Sequence, residues 1–108
     1  MLTIELLHFD GCPSWQHAWN DLGEALSATR IDATVHLSNI DDLPEDQRHG
    51  FGGSPTLRIN GRDLEDYDGP PVYACRRYLD NQGHGWPDPQ RLRSAIEAAA
   101  KASSSTGR

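Results

Sequence analysis

Two cysteines, Cys12 and Cys75, are the residues of this 108-residue chain best suited to covalent chemistry. Cys12 lies where an apolar run ends at Asp10-Gly11 and a helical pattern begins at Pro13. A thiol at a helix start lies near unsatisfied N–H groups and the positive end of the helix dipole, which favours its thiolate. A thiolate is the nucleophile of disulfide exchange and a ligand for soft metals. We therefore predict that Cys12 is a reactive thiol with a lowered pKa; the alternative is a small buried core residue.

Cys75 lies between Ala74 and the basic pair Arg76-Arg77, which favour its thiolate. It is a candidate for resolving a disulfide formed at Cys12, and the alternative is a residue that fills core space on a short helix. Two cysteines are too few for a secreted disulfide framework, and the N-terminal residues do not resemble a signal peptide. We therefore expect a cytoplasmic protein whose cysteines rest as thiols.

Charge and residue spacing make several classes of ligand poor candidates. Ten basic and sixteen acidic side chains give a net charge of -6, so neither nucleic acid nor a membrane surface is an expected partner. The five histidines lack metal-ligand spacing, and the acids from Asp63 to Asp68 predict a solvated loop. No cofactor is expected. The alternative metal site is a soft-metal clamp formed by Cys12 and Cys75.

The elements that must position these residues follow from the hydrophobic pattern. Strands are predicted at Thr3–Phe9 and Ala33–Leu37, helices from Pro13 to Leu26, from Asp41 to His49 and from Pro89 to Lys101, and a hairpin around Asn60-Gly61. Residues 72–79 predict one or two helical turns. This order predicts an α/β domain over residues 1–102, with a mixed four-stranded sheet (β-α-β-α-β-β-α), helices on both faces, and a disordered tail at 103–108.

Two short motifs resemble the halves of a thioredoxin-superfamily active site. They are Phe9-Asp10-Gly11-Cys12-Pro13-Ser14-Trp15 and Gly53-Ser54-Pro55-Thr56. The resemblance implies a thioredoxin-like fold in which Pro55 is cis and faces the nucleophilic thiol. It further implies a substrate groove formed by five residues: Pro13, Trp15, Ser54, Pro55 and Thr56.

The first motif departs from the Cys-x-x-Cys pattern because Trp15 occupies the position of the second cysteine. A disulfide at Cys12 must therefore be resolved by Cys75, by a small thiol or by a partner protein. The leading hypothesis is a thiol-disulfide oxidoreductase or redox carrier, with Cys12 as the reactive thiolate and Cys75 as its resolving thiol. Its expected partner is a small molecule or protein that bears a thiol or a disulfide; the sequence leaves the oligomeric state open.

A second resemblance connects Cys75-Arg76-Arg77-Tyr78 and the upstream Cys12 to organomercurial (alkylmercury) lyases. This resemblance implies a protein that captures a soft metal or an organomercurial between Cys12 and Cys75. Trp15 occupies the position at which the proton-donating acid of those enzymes is expected. A third possibility is a thioredoxin-like fold that serves only as an interaction module.

Overall fold

The structure, a computed structural model, describes residues 2–106 as a mixed α/β arrangement. The elements are β1 (Leu2–His8), α1 (Trp15–Thr29), β2 (Ala33–Asn39), β3 (Thr56–Ile59), β4 (Arg62–Asp63) and α2 (Pro89–Thr106), with short 3-10 turns at Ile40–Asp42, Glu45–Gln47 and Leu79–Asn81. None of the helices in this part of the chain has the length and apolar character needed to cross a membrane.

The four strands form one mixed sheet in the order β2-β1-β3-β4. β1 pairs parallel with β2, where Ile4 lies opposite Val35, and antiparallel with β3, where Leu6 lies opposite Leu57. The predicted hairpin is confirmed, because β3 and β4 are antiparallel and both turn residues have positive φ, 53° at Asn60 and 83° at Gly61. β1 is therefore an inner strand, as its apolar sequence predicts.

One sheet face carries the main hydrophobic core. Alternate residues of β1 and β3 pack there against the apolar stripes of both α-helices, and the fully buried members include Ile4, Leu6, Leu22, Leu57, Leu92 and Ile96. Leu7 points to the other face, where it packs with Ile40 and Phe51. Both α-helices thus contribute to the same core, and the prediction of helices on both faces is not confirmed.

The helix predicted from Asp41 to His49 does not form. Two 3-10 turns replace it, separated by Leu43 and Pro44, whose ψ angles of 144° and 151° are extended. Proline disfavours the α conformation in the residue before it and has no N–H to donate to a helix. Pro44 therefore explains why this segment is not a continuous helix.

Helical turns are also absent from residues 72–78, which precede the 3-10 turn at Leu79–Asn81. Cys75 instead forms an isolated β-bridge with Ser54. At the C-terminus α2 continues to Thr106, so residues 103–106 of the predicted tail are helical; residues 107–108 lie outside the described part of the chain. The long-range pairing at Ser54 is what overrides local helix preference near Cys75.

Candidate functional site

Cys12 lies in the tight turn between β1 and α1. Its N–H donates to the carbonyl of Phe9 at 3.4 Å, and the residue is only 1% exposed. Pro13 is exposed and precedes Ser14, the N-cap of α1, so the helix begins at Trp15 rather than at Pro13 as predicted. Neither a capping side-chain bond from Ser14 nor an acidic residue is present in the first turn of α1.

Cys12 and Cys75 are joined by a disulfide, with their Cα atoms 5.7 Å apart. The two candidate residues are thus brought together, although the sequence alone left their pairing open and predicted resting thiols. Their surroundings differ, because Cys12 is buried whereas Cys75 is exposed. This asymmetry decides which half of the bond an external reagent can approach.

The segment that carries Cys75 is held by backbone hydrogen bonds with Ser54. The Ser54 N–H donates to the carbonyl of Ala74 at 2.9 Å, and the Arg76 N–H donates to the carbonyl of Ser54 at 2.9 Å. The Ser54 hydroxyl accepts a hydrogen bond from the N–H of Phe9 at 3.3 Å. Ser54 therefore connects the end of β1, which leads to Cys12, with the strand-like segment that contains Cys75.

Pro55 and Thr56, the other predicted groove residues of this motif, are buried. The Ser54-Pro55 bond is cis, as the resemblance implies. The Pro55 carbonyl accepts a hydrogen bond from the buried Tyr78 hydroxyl at 2.7 Å, and the Thr56 hydroxyl donates to the carbonyl of Gly53 at 2.6 Å. The Pro55 carbonyl and the Thr56 hydroxyl are therefore both hydrogen-bonded within the chain.

Gly53 allows the Cys75 segment to approach closely. Its φ of 111° is in the region that side-chain-bearing residues rarely adopt, and a Cβ atom built there would lie 2.9 Å from the carbonyl oxygen of Ala74. Glycine is thus required here both by the backbone conformation and by the neighbouring carbonyl.

A buried ion pair anchors the residue after Cys75. Arg76 donates two hydrogen bonds to Asp63, at 2.7 and 2.8 Å, and weaker ones to Thr56 and Glu65, both at 3.2 Å. Burial lowers the pKa of Arg76, but the Asp63 hydrogen bonds and nearby charges raise it by more, so the guanidinium stays charged. Asp63, predicted to belong to a solvated acidic loop, is therefore a buried counter-ion, and its carboxylate compensates the Arg76 charge expected to assist Cys75.

Trp15 packs against a histidine that the sequence did not single out as part of the site. The Trp15 ring stacks on His8, with centroids 4.3 Å apart and an interplanar angle of 19°. His8 is buried at the end of β1, and its Nδ1 has no hydrogen-bond partner among the described residues. The pair joins the two elements that flank the Cys12 turn, so Trp15 contributes to packing here.

An open groove of about 750 Å³ includes Cys75 in its lining. It is lined by Gly52, Glu65, Asp66, Tyr67, Asp68, Gly69, Cys75, Arg76 and Arg77. Cys12 does not line this groove. Within residues 2–106, no group of three or more histidine, cysteine or acidic side chains is arranged to hold a metal ion.

No protein-family model matches the chain, and no curated protein matches its sequence. The geometry of the two cysteines and their supports is therefore the basis for a function. That geometry is a disulfide between the buried Cys12 and the exposed Cys75, whose segment is held by Ser54 and by the Asp63–Arg76 pair.

Proposed function

We propose that this chain is a thioredoxin-like thiol-disulfide oxidoreductase or redox carrier that alternates between the Cys12–Cys75 disulfide and two thiols. The observation that carries the proposal is the disulfide, because it links the helix-start cysteine to a second cysteine 63 residues away. The Cα separation of 5.7 Å is within the usual range for disulfides, about 4.4–6.8 Å. Two thiols held by this backbone can re-form the bond without a large rearrangement.

The topology supports a thioredoxin-like fold. A parallel β1–β2 pair connected through α1 lies beside the β3–β4 hairpin, in the order β2-β1-β3-β4. Cys12 lies between β1 and α1, and Ser54-Pro55 directly precedes β3, so the two motifs of the resemblance occupy neighbouring strand ends. This arrangement supports a thiol site at that end of the sheet.

The proposed reaction transfers two electrons from two partner thiols to the protein disulfide. The first partner thiolate forms a mixed disulfide with one cysteine, and the other cysteine leaves as a thiolate. The second partner thiolate attacks the partner sulfur of the mixed disulfide and releases the remaining cysteine. The products are one partner disulfide and two protein thiols, and the reverse sequence oxidises the protein.

Equilibration in glutathione redox buffers tests the proposal. We expect the wild-type protein to interconvert reversibly between the intramolecular disulfide and two thiols while its far-ultraviolet circular dichroism persists. Cys12→Ala and Cys75→Ala should each lose this conversion and form at most a mixed disulfide with glutathione. Structural disulfides typically have potentials below about -300 mV and resist the glutathione pool. A bond that resists glutathione, or a chain that unfolds on reduction, would indicate a structural disulfide and favour the interaction-module alternative.

The same juxtaposition favours a second candidate, a soft-metal clamp formed by the reduced cysteines. Thiolates select soft ions, and two of them in disulfide distance suit a two-coordinate metal. Titration of the reduced protein with Hg²⁺ should then give one-to-one binding that requires both Cys12 and Cys75. Binding that survives Cys75→Ser would contradict the clamp. For lyase chemistry, Asp10 is the nearest acid in sequence, and it accepts a hydrogen bond from Asn39 at 3.3 Å.

A further inference from the structure

The two halves of the disulfide differ in their access to an attacking thiol. Thiol–disulfide exchange requires the incoming thiolate to reach one sulfur directly and to expel the other. Cys12 is 1% exposed, so its side chain is shielded from a reagent in solution. Cys75 is exposed and lines the open groove. In the oxidised protein, accessibility therefore favours attack at Cys75.

The segment that carries Cys75 remains anchored when the disulfide opens. Ala74 and Arg76 hydrogen-bond with Ser54, and Arg76 is held by the buried carboxylate of Asp63. None of these bonds involves the cysteine sulfurs. Cys75 therefore stays beside Cys12 as a mixed disulfide forms, rather than leaving with its segment.

The backbone hydrogen bonds of Ser54 also limit the kind of partner that can bind. Added strands bind to a backbone edge through free N–H and C=O groups. Both backbone polar groups of Ser54 are paired with the chain's own residues 74 and 76, and the Pro55 carbonyl is bonded to Tyr78. An extended polypeptide consequently finds this edge occupied, whereas a compact thiol needs only the groove at Cys75.

Cys12 is also suited to be the leaving sulfur. It lies two residues before Ser14, the N-cap of the fifteen-residue helix α1, whose first turn contains no acidic residue. The positive end of a helix stabilises a thiolate, and a more stable thiolate leaves faster in exchange. Burial opposes this effect of the helix, so the difference in access is the observation that decides the direction of attack.

We propose that a low-molecular-weight thiol opens the disulfide by attacking Cys75, with Cys12 as the leaving thiolate. This inference rests on the proposed oxidoreductase function and reverses the roles predicted from the sequence. The new bond joins the small thiol's sulfur to Cys75, and the bond that breaks is Cys12–Cys75. A second small thiolate then attacks the first at its sulfur, which releases Cys75 as a thiolate and yields the small-molecule disulfide.

Trapping the mixed disulfide in the wild-type protein tests the direction of attack. The oxidised protein is mixed with excess glutathione, quenched with acid at short times, alkylated with excess N-ethylmaleimide in denaturant and mapped by peptide mass spectrometry. We expect glutathione on Cys75 and N-ethylmaleimide on Cys12, with at least about tenfold less of the reverse pattern at the earliest times. Early glutathione on Cys12 overturns the inference while leaving the oxidoreductase proposal intact, whereas no opening at all contradicts the proposed function.

Two matched comparisons test the access of Cys75 and the preference for a compact thiol. Reduced Cys12→Ala and Cys75→Ala each retain one thiol, and we expect the Cys75 thiol of the first to react with 5,5′-dithiobis(2-nitrobenzoate) at least about tenfold faster. Equal rates would contradict the access argument. The second comparison uses a longer cysteine-containing peptide whose thiol pKa matches that of glutathione. It should open the wild-type disulfide more slowly than glutathione does. A higher opening rate with the peptide would overturn the assignment to a compact thiol.

Discussion

The buried Asp63–Arg76 pair provides the sharpest test of how the Cys75 segment is held. The Asp63 side chain is 1% exposed and that of Arg76 is 7% exposed. Asp63 also accepts hydrogen bonds from the N–H groups of Glu65 and Tyr67, at 2.8 and 3.2 Å. Replacing Asp63 with Asn removes the charge opposite the guanidinium and turns one acceptor into a donor. The Asp63 side chain therefore supports both the Cys75 segment and the loop that follows β4.

The expected cost of Asp63→Asn follows from the burial of the pair. Removing one partner of a buried ion pair typically costs about 3–5 kcal/mol because the other charge stays buried. Glu65, 3.2 Å from Arg76, continues to compensate part of that charge, so we expect a loss near the lower limit, about 3 kcal/mol. With a urea m-value of about 1–3 kcal/mol per M, this loss moves the unfolding midpoint by roughly 1 M or more.

The assay is urea unfolding of the oxidised protein at neutral pH, followed by tryptophan fluorescence. Asp66→Asn is the matched control, because Asp66 pairs with Arg62 on the exposed side of the same region. Exposed ion pairs contribute little, so its midpoint should stay close to wild type. Equal midpoint shifts in the two variants would contradict this expectation, since burial of the ion pair would then have no effect.

Two further outcomes follow from the structure. Gly53→Ala should destabilise the oxidised protein by at least about 2 kcal/mol in urea unfolding, because the positive φ is unfavourable for alanine and the new Cβ would contact a carbonyl oxygen. The control is Gly23→Ala within α1, where a Cβ atom meets no neighbour; it should stabilise the protein by about 0.5–1 kcal/mol. Burial and the charge of Glu24 raise the pKa of Asp21, which disfavours its ionised form in the folded state. Asp21→Asn should therefore stabilise by less than about 1 kcal/mol at pH 7, and the gain measured by urea unfolding should disappear below about pH 3.9, where the unfolded carboxyl is also protonated.

The spacing of apolar residues and the residue types at the turns predicted much of the fold. The apolar run around Leu6, the three-and-four spacing that includes Leu22, and the Asn60-Gly61 turn each correspond to an observed element. These signals are local, since each depends on residues within one element. The predicted helix from Asp41 failed for a local reason as well, because Pro44 carries a backbone preference that the charge pattern does not reveal.

The candidate site was only half predictable. Cys12 follows from a strand, a glycine and a proline that are adjacent in the sequence, whereas the position of Cys75 depends on distant partners. Ser54 hydrogen-bonds with Ala74 and Arg76, which lie 20 and 22 residues later, and Asp63 holds the Arg76 guanidinium across 13 residues. An acidic loop contains no sequence signal that marks one of its acids as buried. The pairing of Cys75 was therefore inaccessible to a local argument.

The two cysteines are positioned by separate parts of the fold, which affects how readily they form a disulfide. In a Cys-x-x-Cys motif, one helix start supplies both sulfurs, so their proximity depends on a single element. Here α1 positions Cys12, while Ser54 and Asp63 position the Cys75 segment. The effective concentration of the Cys75 thiol near Cys12 therefore depends on how firmly that segment is held. A change that loosens the segment without unfolding the sheet should therefore favour the dithiol over the disulfide. In the proposed redox cycle, the contacts that anchor the Cys75 segment, rather than a single helix start, set the balance between the disulfide and the two thiols.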